Sequence, residues 1–227
     1  NVNDTPIANS EDILIYEDSD LNIDLTSVFS DIDEGDQLTF EILELPEWIS
    51  VSENIISGVP SNEEVGVYNV SLKATDLAGA TAETDFTITV LNVNDAPYVV
   101  SEPSAKAVYE DMPFEFSIAD VFADIDANDQ LSYHVGVSGF CSLPSWIRFD
   151  YENLIIFGKT DNEDVGNYII ELTAYDNEIA SATTEFEFEI INVNDAPILQ
   201  IPVSNIFAEV GTEFYVDLND NTFVDID

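Results

Sequence analysis

The residues with the clearest potential chemistry are paired aspartates separated by one isoleucine. The pair occurs as Asp31-Ile32-Asp33, as Asp124-Ile125-Asp126 and as Asp225-Ile226-Asp227. In an extended strand, alternate residues lie on the same side, so we expect both carboxylates to converge while the isoleucine anchors the strand in the core. Two converging carboxylates form a binding geometry for a cation.

The overall charge indicates why the chain needs cations. It contains 47 acidic and 4 basic residues among 227, which gives a formal net charge of −43. Such a chain repels phosphate backbones and anionic lipid head groups, so nucleic-acid binding and membrane-surface binding are disfavoured. A composition of 45% apolar and 11% aromatic residues can nevertheless build packed cores, which argues against a disordered acidic chain.

The cysteine count and the length of the apolar runs exclude two further classes. The single cysteine, Cys141, excludes an intrachain disulfide and a cysteine-based zinc cluster, and we expect it to be a small core residue. The apolar runs are far shorter than the ~18 residues needed to cross a bilayer. We therefore expect no membrane insertion of this segment.

A repeated hexapeptide divides the chain into domain-sized units. Asn1-Val2-Asn3-Asp4-Thr5-Pro6 returns, with alanine replacing the threonine, at residues 92–97 and 192–197. We predict a first domain at residues 1–95 that includes its N-terminal linker, a second at 96–195, and the truncated start of a third at 196–227. The second repeat is longer, and part of its extra length falls within residues 135–142, which we interpret as a lengthened loop.

Short segments of alternating apolar and polar residues predict β-structure throughout. Phe86, Ile88 and Val90 alternate with threonines, which is typical of a strand with one buried face. Further strands are predicted at residues 13–16, 21–25, 37–43, 55–57 and 68–75. About seven strands in about 95 residues predict an all-β fold of tandem Greek-key β-sandwiches. Helical periodicity is missing, so enzymes built on parallel α/β sheets are disfavoured.

Taken together, the repeated motifs resemble the cadherin-like repeats. The resemblance is closest to the dystroglycan-type relatives, which occur in tandem in large bacterial surface proteins. It rests on the linker hexapeptide, the Asp-Ile-Asp pair, the glutamate after the first strand, Asn62-Glu63-Glu64-Val65-Gly66-Val67-Tyr68 and Ala74-Thr75-Asp76 with their second-repeat counterparts. It implies Ig-like β-sandwiches whose junctions bind calcium.

The resemblance also implies which residues bind Ca²⁺. The first junction would comprise Glu17, Asn62, Glu64, the Val93 carbonyl, Asn94, Asp95, Asp124, Asp126 and Asp176. The second would comprise Glu110, Asn162, Asp164, Asn194, Asp195, Asp225 and Asp227. A partial site at the amino terminus would comprise Asn3, Asp4, Asp31, Asp33 and Asp76.

The number of ions at each junction stays open. Six carboxylates at the first junction would be neutralised by three divalent ions. The cadherin pattern, however, has aspartate where this chain has Asn62 and Asn92, and the same holds for Asn162 and Asn192, so two ions are as plausible as three. Oxygen ligands without histidine or thiolate favour calcium over zinc or copper.

The resulting functional hypothesis is a calcium-rigidified spacer or adhesion segment of an extracellular, cell-surface protein. Its expected partners are the neighbouring repeats of the same chain, and also a cell-surface protein or polysaccharide. The alternative is a carbohydrate-binding module of a secreted polysaccharide-degrading enzyme, which would use exposed aromatic side chains. Trp48 and Trp146, however, are expected to pack in or beside the core. Enzymatic activity is not expected, because the only histidine, His134, has no counterpart in the first repeat.

Overall fold

The computed structural model describes residues 2–33, 35–216, 218 and 222–225. The chain divides into two compact units. The first comprises Asn1–Asp95 with Ile125–Ala127, and the second comprises Ala96–Asp124 with Asn128–Asp227.

The first unit is a β-sandwich with one four-stranded and one three-stranded sheet. Its elements are β1 (Ile7–Ala8), β2 (Ile13–Tyr16), β3 (Leu21–Asp24), α1 (Leu25–Val28), β4 (Phe29–Ser30), β5 (Thr39–Glu44), β6 (Ser50–Ser52), β7 (Ile55–Gly58), β8 (Gly66–Thr75) and β9 (Thr81–Leu91). The strand orders are β2-β9-β8-β5 and β3-β7-β6, and β1 pairs with β4. β2 runs parallel to β9, whereas β8 and β9 form a long antiparallel hairpin. A short 3₁₀ turn, Asn62–Glu64, precedes β8.

The second unit repeats this topology. Its strands are β10 (Tyr98–Val99), β11 (Lys106–Tyr109), β12 (Pro113–Ser117), β13 (Phe122–Ala123), β14 (Ser132–Val137), β15 (Ile147–Asp150), β16 (Ile155–Lys159), β17 (Gly166–Tyr175) and β18 (Ser181–Ile191). The sheets are β11-β18-β17-β14 and β12-β16-β15, and β10 pairs with β13. The corresponding 3₁₀ turn is Asn162–Asp164.

Alternation along the strands builds each core. In β9, Phe86, Ile88 and Val90 are buried, as the sequence pattern predicts. They pack with residues of both sheets, including Ile56 of β7 and Leu72 of β8. The predicted all-β class and the tandem sandwich architecture are therefore confirmed.

The first two Asp-Ile-Asp segments, residues 31–33 and 124–126, correct one prediction, because they form bends rather than strands. The Asp31 carboxylate accepts a hydrogen bond from the Asp33 amide at 2.8 Å, so the side chain closes a local turn of its own backbone. Ile32 is consequently 71% exposed and Ile125 is 52% exposed, so neither anchors a strand in the core.

Two expectations about the second repeat are also wrong. Residues 135–137 belong to β14, so the lengthened loop starts only after Val137. Cys141 lies in that loop and is exposed, not buried in the core. A segment that connects strands over the surface cannot bury its side chains as a strand does.

The start of the third repeat forms a two-stranded sheet among the described residues, in which β19 (Ile198–Leu199) pairs with β20 (Phe223–Val224). Apolar side chains between these strands are exposed, including Phe207 at 92% and Tyr215 at 85%.

Candidate metal centres

Glu17 is a buried glutamate at the end of β2. Its backbone amide donates to the Leu91 carbonyl, and the next residue, Asp18, adopts a left-handed conformation with φ of 56°. Aspartate tolerates this conformation better than most residues, so the chain can turn while the Glu17 side chain points inward. The side chain is 2% exposed.

The two carboxylate oxygens of Glu17 have different surroundings. Oε1 accepts a hydrogen bond from the Val93 amide at 2.6 Å, which ties the glutamate to the linker after β9. Oε2 is buried and has no hydrogen-bond partner among the described residues. A buried charged oxygen without a partner is costly, so this atom is suited to bind a cation.

Asp95 and Asp126 complete a carboxylate cluster around Glu17 within the first unit. One oxygen from each of the three residues lies within 4.8 Å of the others. The Asp95 amide donates to Asp126 at 2.8 Å, and the Asn62 side-chain amide donates to Asp126 at 3.0 Å. Burial raises the pKa of Asp126, but the hydrogen bonds from Asn62, the Asp95 amide and Asn92 together place that pKa below its ordinary value. Asp126 is therefore held as a carboxylate.

A second cluster lies at the opposite end of the first unit's strands. Asp31, Asp36 and Asp76 place one carboxylate oxygen each within 4.8 Å of one another. Asp76 is 6% exposed, and it accepts hydrogen bonds from the Asn3 side chain at 2.9 Å and the Ala80 amide at 2.8 Å. Burial, followed by the nearby negative charges of Asp76, Asp31 and Asp33, raises the pKa of Asp36.

The pairing of β1 with β4 explains how the linker reaches this cluster. Ile7 is in register with Ser30 and Ala8 with Phe29, so the chain before β1 lies beside the chain after β4. The Asp4 amide accordingly donates to the Asp33 carboxylate at 2.7 Å. The antiparallel pairing of these two short strands thus brings together Asp4 and Asp33, which are 29 residues apart in sequence.

The second unit has the equivalent cluster, formed by Asp129, Asp176 and Glu178. Asp176 is 5% exposed and accepts a hydrogen bond from the Ala180 amide at 2.7 Å, as Asp76 does from Ala80. Asp124 follows β13 directly and is half-buried, in the position that Asp31 occupies after β4.

The remaining predicted ligands of the second unit have the following surroundings. Glu110 is 1% exposed, and its Oε1 accepts a hydrogen bond from the Val193 amide at 2.5 Å. Its Oε2 is buried and has no hydrogen-bond partner in the described part of the chain. Asn162 donates to Asp195 at 2.7 Å, and Asn194 donates to the Asp195 carbonyl. Asp225 follows β20 and is exposed, whereas Asp227 lies outside the described residues.

Several predicted ligands have structural roles of their own. Glu64 accepts hydrogen bonds from the amide and hydroxyl of Ser61 at 2.8 and 2.6 Å, which closes the turn before β8. Asp164 accepts from the Asp161 amide at 3.0 Å in the second unit. Asn94 donates to the Asp95 carbonyl at 3.0 Å. Neither Glu64 nor Asp164 belongs to the compact carboxylate clusters formed by the described residues.

Sequence reasoning missed Asp36, Asp129 and Glu178. A usable signal was present for the first two, because Asp-Gln-Leu recurs as Asp36-Gln37-Leu38 and Asp129-Gln130-Leu131 at the same distance after the first two Asp-Ile-Asp segments. Glu178 has no acidic counterpart in the first repeat, where Ala78 occupies its position, so repetition could not reveal it.

The clusters are suited to hard cations rather than to catalysis. Their ligands are carboxylate and amide oxygens, which calcium prefers. The salt bridges Lys73–Glu41 and Lys159–Asp111 involve other carboxylates. Among the described residues, no helix is long and apolar enough to cross a membrane.

Comparisons with known proteins agree with this fold. Human protocadherin gamma-A10 is 28% identical over 190 residues, which cover 79% of this chain and 19% of the relative. Human protocadherin gamma-A12 is 32% identical over 150 residues, which cover 62% of this chain and 16% of the relative. The chain thus spans less than a fifth of the length of these curated relatives.

Solved structures show the same architecture. Human mucin-like protocadherin EC1-2 superposes with a TM-score of 0.58 at 17% identity, covering 83% of this chain and 98% of that one. The protocadherin GammaB4 extracellular domain superposes with a TM-score of 0.57 at 23% identity, covering 88% of this chain and 36% of that one. At these identities the likeness establishes the fold alone.

A family model described as "Putative Ig domain" matches residues 5–91 and again residues 96–191. The two matches coincide with the two sandwiches and cover most of the sequence. The chain therefore belongs to this family of Ig-like domains, here present as a cadherin-like tandem.

Proposed function

We propose that the chain is a calcium-binding tandem repeat that serves as a calcium-rigidified spacer or adhesion segment of an extracellular, cell-surface protein. The dystroglycan-type affiliation and the domain boundaries at residues 95 and 195 belong to the same proposal. The observation that carries it is the buried carboxylate of Glu17: one oxygen accepts a backbone hydrogen bond, and the other has no hydrogen-bond partner within residues 2–33, 35–216, 218 and 222–225.

The second repeat supports the proposal independently. Glu110 has the same burial, the same amide donor two residues into the following linker, and the same unpartnered oxygen. A buried charged oxygen that occurs twice at equivalent positions favours a functional role, because an unsatisfied carboxylate destabilises the fold unless something binds it.

Calcium fits these sites better than other common cations. The donors are carboxylates, asparagine side chains and, as a proposed ligand, the Val93 carbonyl. Calcium accepts six to eight such oxygens in irregular geometry, whereas magnesium requires a near-octahedral shell and zinc favours nitrogen or sulfur. All the ligands predicted above, together with Asp36, Asp129 and Glu178, belong to the proposed sites.

Ion binding at the ends of repeats would stiffen a chain of such domains. The linker residues 92–95 and 192–195 carry proposed ligands, so an ion held by a linker and the adjacent sandwich would restrict the linker's backbone. A stiffened string of sandwiches can hold an adhesive surface away from a cell. We propose this mechanical role in preference to a catalytic one.

The carbohydrate-binding alternative is not favoured. Trp146 is 4% exposed and stacks on Phe188 at 5.7 Å between ring centroids. Trp48 is half-buried and packs edge-on against Tyr68. These two side chains serve the cores and do not present open platforms for sugars.

Calcium titration by calorimetry tests the proposal directly. We expect the wild type to bind calcium, and Glu17→Gln to weaken the site that contains Glu17 by about tenfold because it loses a charged ligand. The exposed carboxylate of Glu83 offers a control, since Glu83→Gln removes the same charge outside the clusters.

Glu17→Gln should also raise the melting temperature in chelator, because it removes one of three close negative charges. Lack of calcium binding by the wild type would refute the function. Equal affinities in both variants would refute the role of Glu17.

A further inference from the structure

The outer face of the four-stranded sheet in the first unit carries an exposed apolar row. Leu14 of β2 and Val67 of β8 are each in register with Thr89 of β9, so the three side chains lie side by side on one face. Leu14 and Val67 are both 66% exposed. Tyr16, which is 54% exposed, extends the row to the next register position beside Leu91.

The second unit shows that the fold does not require the aliphatic part of this row, Leu14 and Val67, whereas Tyr16 has an equivalent in Tyr109, which is 57% exposed. The equivalent register positions hold Ala107, Glu189 and Asn167. Single exposed apolar residues are ordinary, but neighbouring ones on a sheet face indicate a contact surface. The first repeat therefore carries an apolar surface that its fold does not explain.

A hollow of about 450 Å³ lies on the same face, farther along β8 and β9. Its rim includes the exposed carboxylates of Asp12, Glu44 and Asp85. Asp85 and Glu44 are both in register with Ser71, whereas the apolar row crosses β9 at Thr89. Four residues along a strand correspond to about 13 Å, so one extended segment can reach both features.

We propose that this sheet face is a docking surface for a basic partner segment, in which an aliphatic side chain covers Leu14 and Val67 and a lysine or arginine side chain enters the acidic hollow. Charge complementarity determines this choice of occupant. A second copy of this chain would bring 47 acidic against 4 basic residues and would be repelled. The surface is separate from the carboxylate clusters proposed to bind calcium.

Fluorescence anisotropy with a labelled synthetic peptide tests the proposal in millimolar calcium and 150 mM salt. The probe is Ser-Leu-Ser-Leu-Ser-Lys-Ser-Lys-Ser, which in extended form presents leucines and lysines on one face. Two control peptides replace either the leucines by serine or the lysines by glutamate. We expect saturable binding of the probe, and weaker binding of both controls because each lacks one of the two matching features.

The first variant takes its two side chains from the equivalent positions of the second repeat, Ala107 and Asn167, so the fold tolerates them. Leu14→Ala with Val67→Asn should weaken binding of the probe about tenfold, whereas Tyr109→Ser on the equivalent face of the second unit should leave it unchanged. Glu44→Gln with Asp85→Asn should weaken binding about threefold and reduce its dependence on salt. Glu185→Gln with Glu187→Gln removes the same charge from the second unit and should have little effect.

The outcomes separate the proposal from its rivals. Equal binding of the probe and the serine control would mean that charge alone attracts the peptide, and the docking surface would be rejected. Unchanged binding in Leu14→Ala with Val67→Asn would reject the location. Sedimentation that shows a dimer of the wild type, dissociated by those same substitutions, would assign the face to a second copy and overturn the basic partner.

Discussion

The acidic ends of the two units are alike, whereas their outer sheet faces differ. Glu17 and Glu110 are held by the amides of Val93 and Val193 at 2.6 and 2.5 Å, and Asp76 and Asp176 accept from Ala80 and Ala180 at 2.8 and 2.7 Å. On the outer faces, by contrast, Leu14, Thr89 and Val67 correspond to Ala107, Glu189 and Asn167.

This difference separates two kinds of constraint. A backbone-anchored carboxylate must keep its residue type and its position, because both the amide donor and the proposed ion depend on them. A solvent-facing strand position must only be compatible with extended structure, so it can change with the partner of each repeat. The repeated ends thus indicate a shared function and the variable faces indicate functions specific to one repeat.

Removal of calcium should have the largest effect and should affect both units. An ion that binds only the folded state stabilises it by RT ln(1 + [L]/Kd), about 2.7 kcal/mol per site at a hundredfold excess over Kd. Calorimetric scans in chelator and in millimolar calcium should show every unfolding transition at a lower temperature in chelator. A shift confined to one unit would show that the acidic ends of the two units do not bind calcium alike. Identical scans would contradict calcium binding.

The next largest effect should come from alanine substitution at two equivalent glycines, Gly58 and Gly158, which should destabilise the two units to different extents. A Cβ at Gly158 would lie 1.9 Å from the Trp146 carbonyl oxygen and 3.0 Å from Phe114, whereas one at Gly58 would lie 2.8 Å from the Trp48 carbonyl oxygen. Overpacking of this kind lowers the free energy of unfolding by about 1–3 kcal/mol. We expect Gly158→Ala to cost about 3 kcal/mol or more and Gly58→Ala to cost about 1 kcal/mol. Urea unfolding measures both, because each unit contains one tryptophan whose fluorescence reports on its own core. The reverse order would contradict the tighter packing of the second unit.

Asp36→Asn and Asp129→Asn should have smaller, matching effects on calcium affinity. Each removes one carboxylate from a cluster of three at the same end of its unit, so we expect affinity at that site to fall several-fold. Calorimetric titration measures the change, with Asp20→Asn as a control at an exposed aspartate outside the clusters. An effect in only one repeat would show that the two clusters are not equivalent.

The fold could be predicted from the alternation along the strands and from the sequence repeats. Hydrogen bonds between a side chain and its own backbone could not be predicted from the same alternation. Period-two alternation in β9 gave the correct buried face, because only one face of that strand contacts the core. The Asp-Ile-Asp segments also alternate, yet Asp31 bonds to the Asp33 amide and the chain bends. A carboxylate can accept a hydrogen bond from a nearby backbone amide in place of the bond that a neighbouring strand would provide. The order of residue types does not show which of these two hydrogen bonds will form.

The carboxylate clusters of the candidate site could be predicted where motifs repeat, but not where they depend on contacts between distant residues. Glu17 and Asp126 follow from the resemblance, whereas Glu178 joins its cluster only because the turn after β17 brings it near Asp129 and Asp176. The burial of Glu17 could not be read from a sequence in which acidic residues are mostly exposed.

The smallest expected effect concerns Asp12, which has no acidic counterpart in the second repeat. Its carboxylate accepts hydrogen bonds from the amide and the hydroxyl of Thr87, both at 2.8 Å, and these bonds hold the pKa of Asp12 below its ordinary value. A pKa lowered by folding adds stability above the unfolded pKa, and this stability is lost as pH falls through the folded pKa. In chelator at pH 7, Asp12→Asn should lower the melting temperature by about 1–2 °C, and the difference should vanish in acid.

The reciprocal change, Ala105→Asp, should not stabilise the second unit, because Glu187 replaces Thr87 there and would repel the new carboxylate. Stabilisation by Ala105→Asp would show that the backbone amide alone suffices, and that the two faces differ less than their side chains indicate.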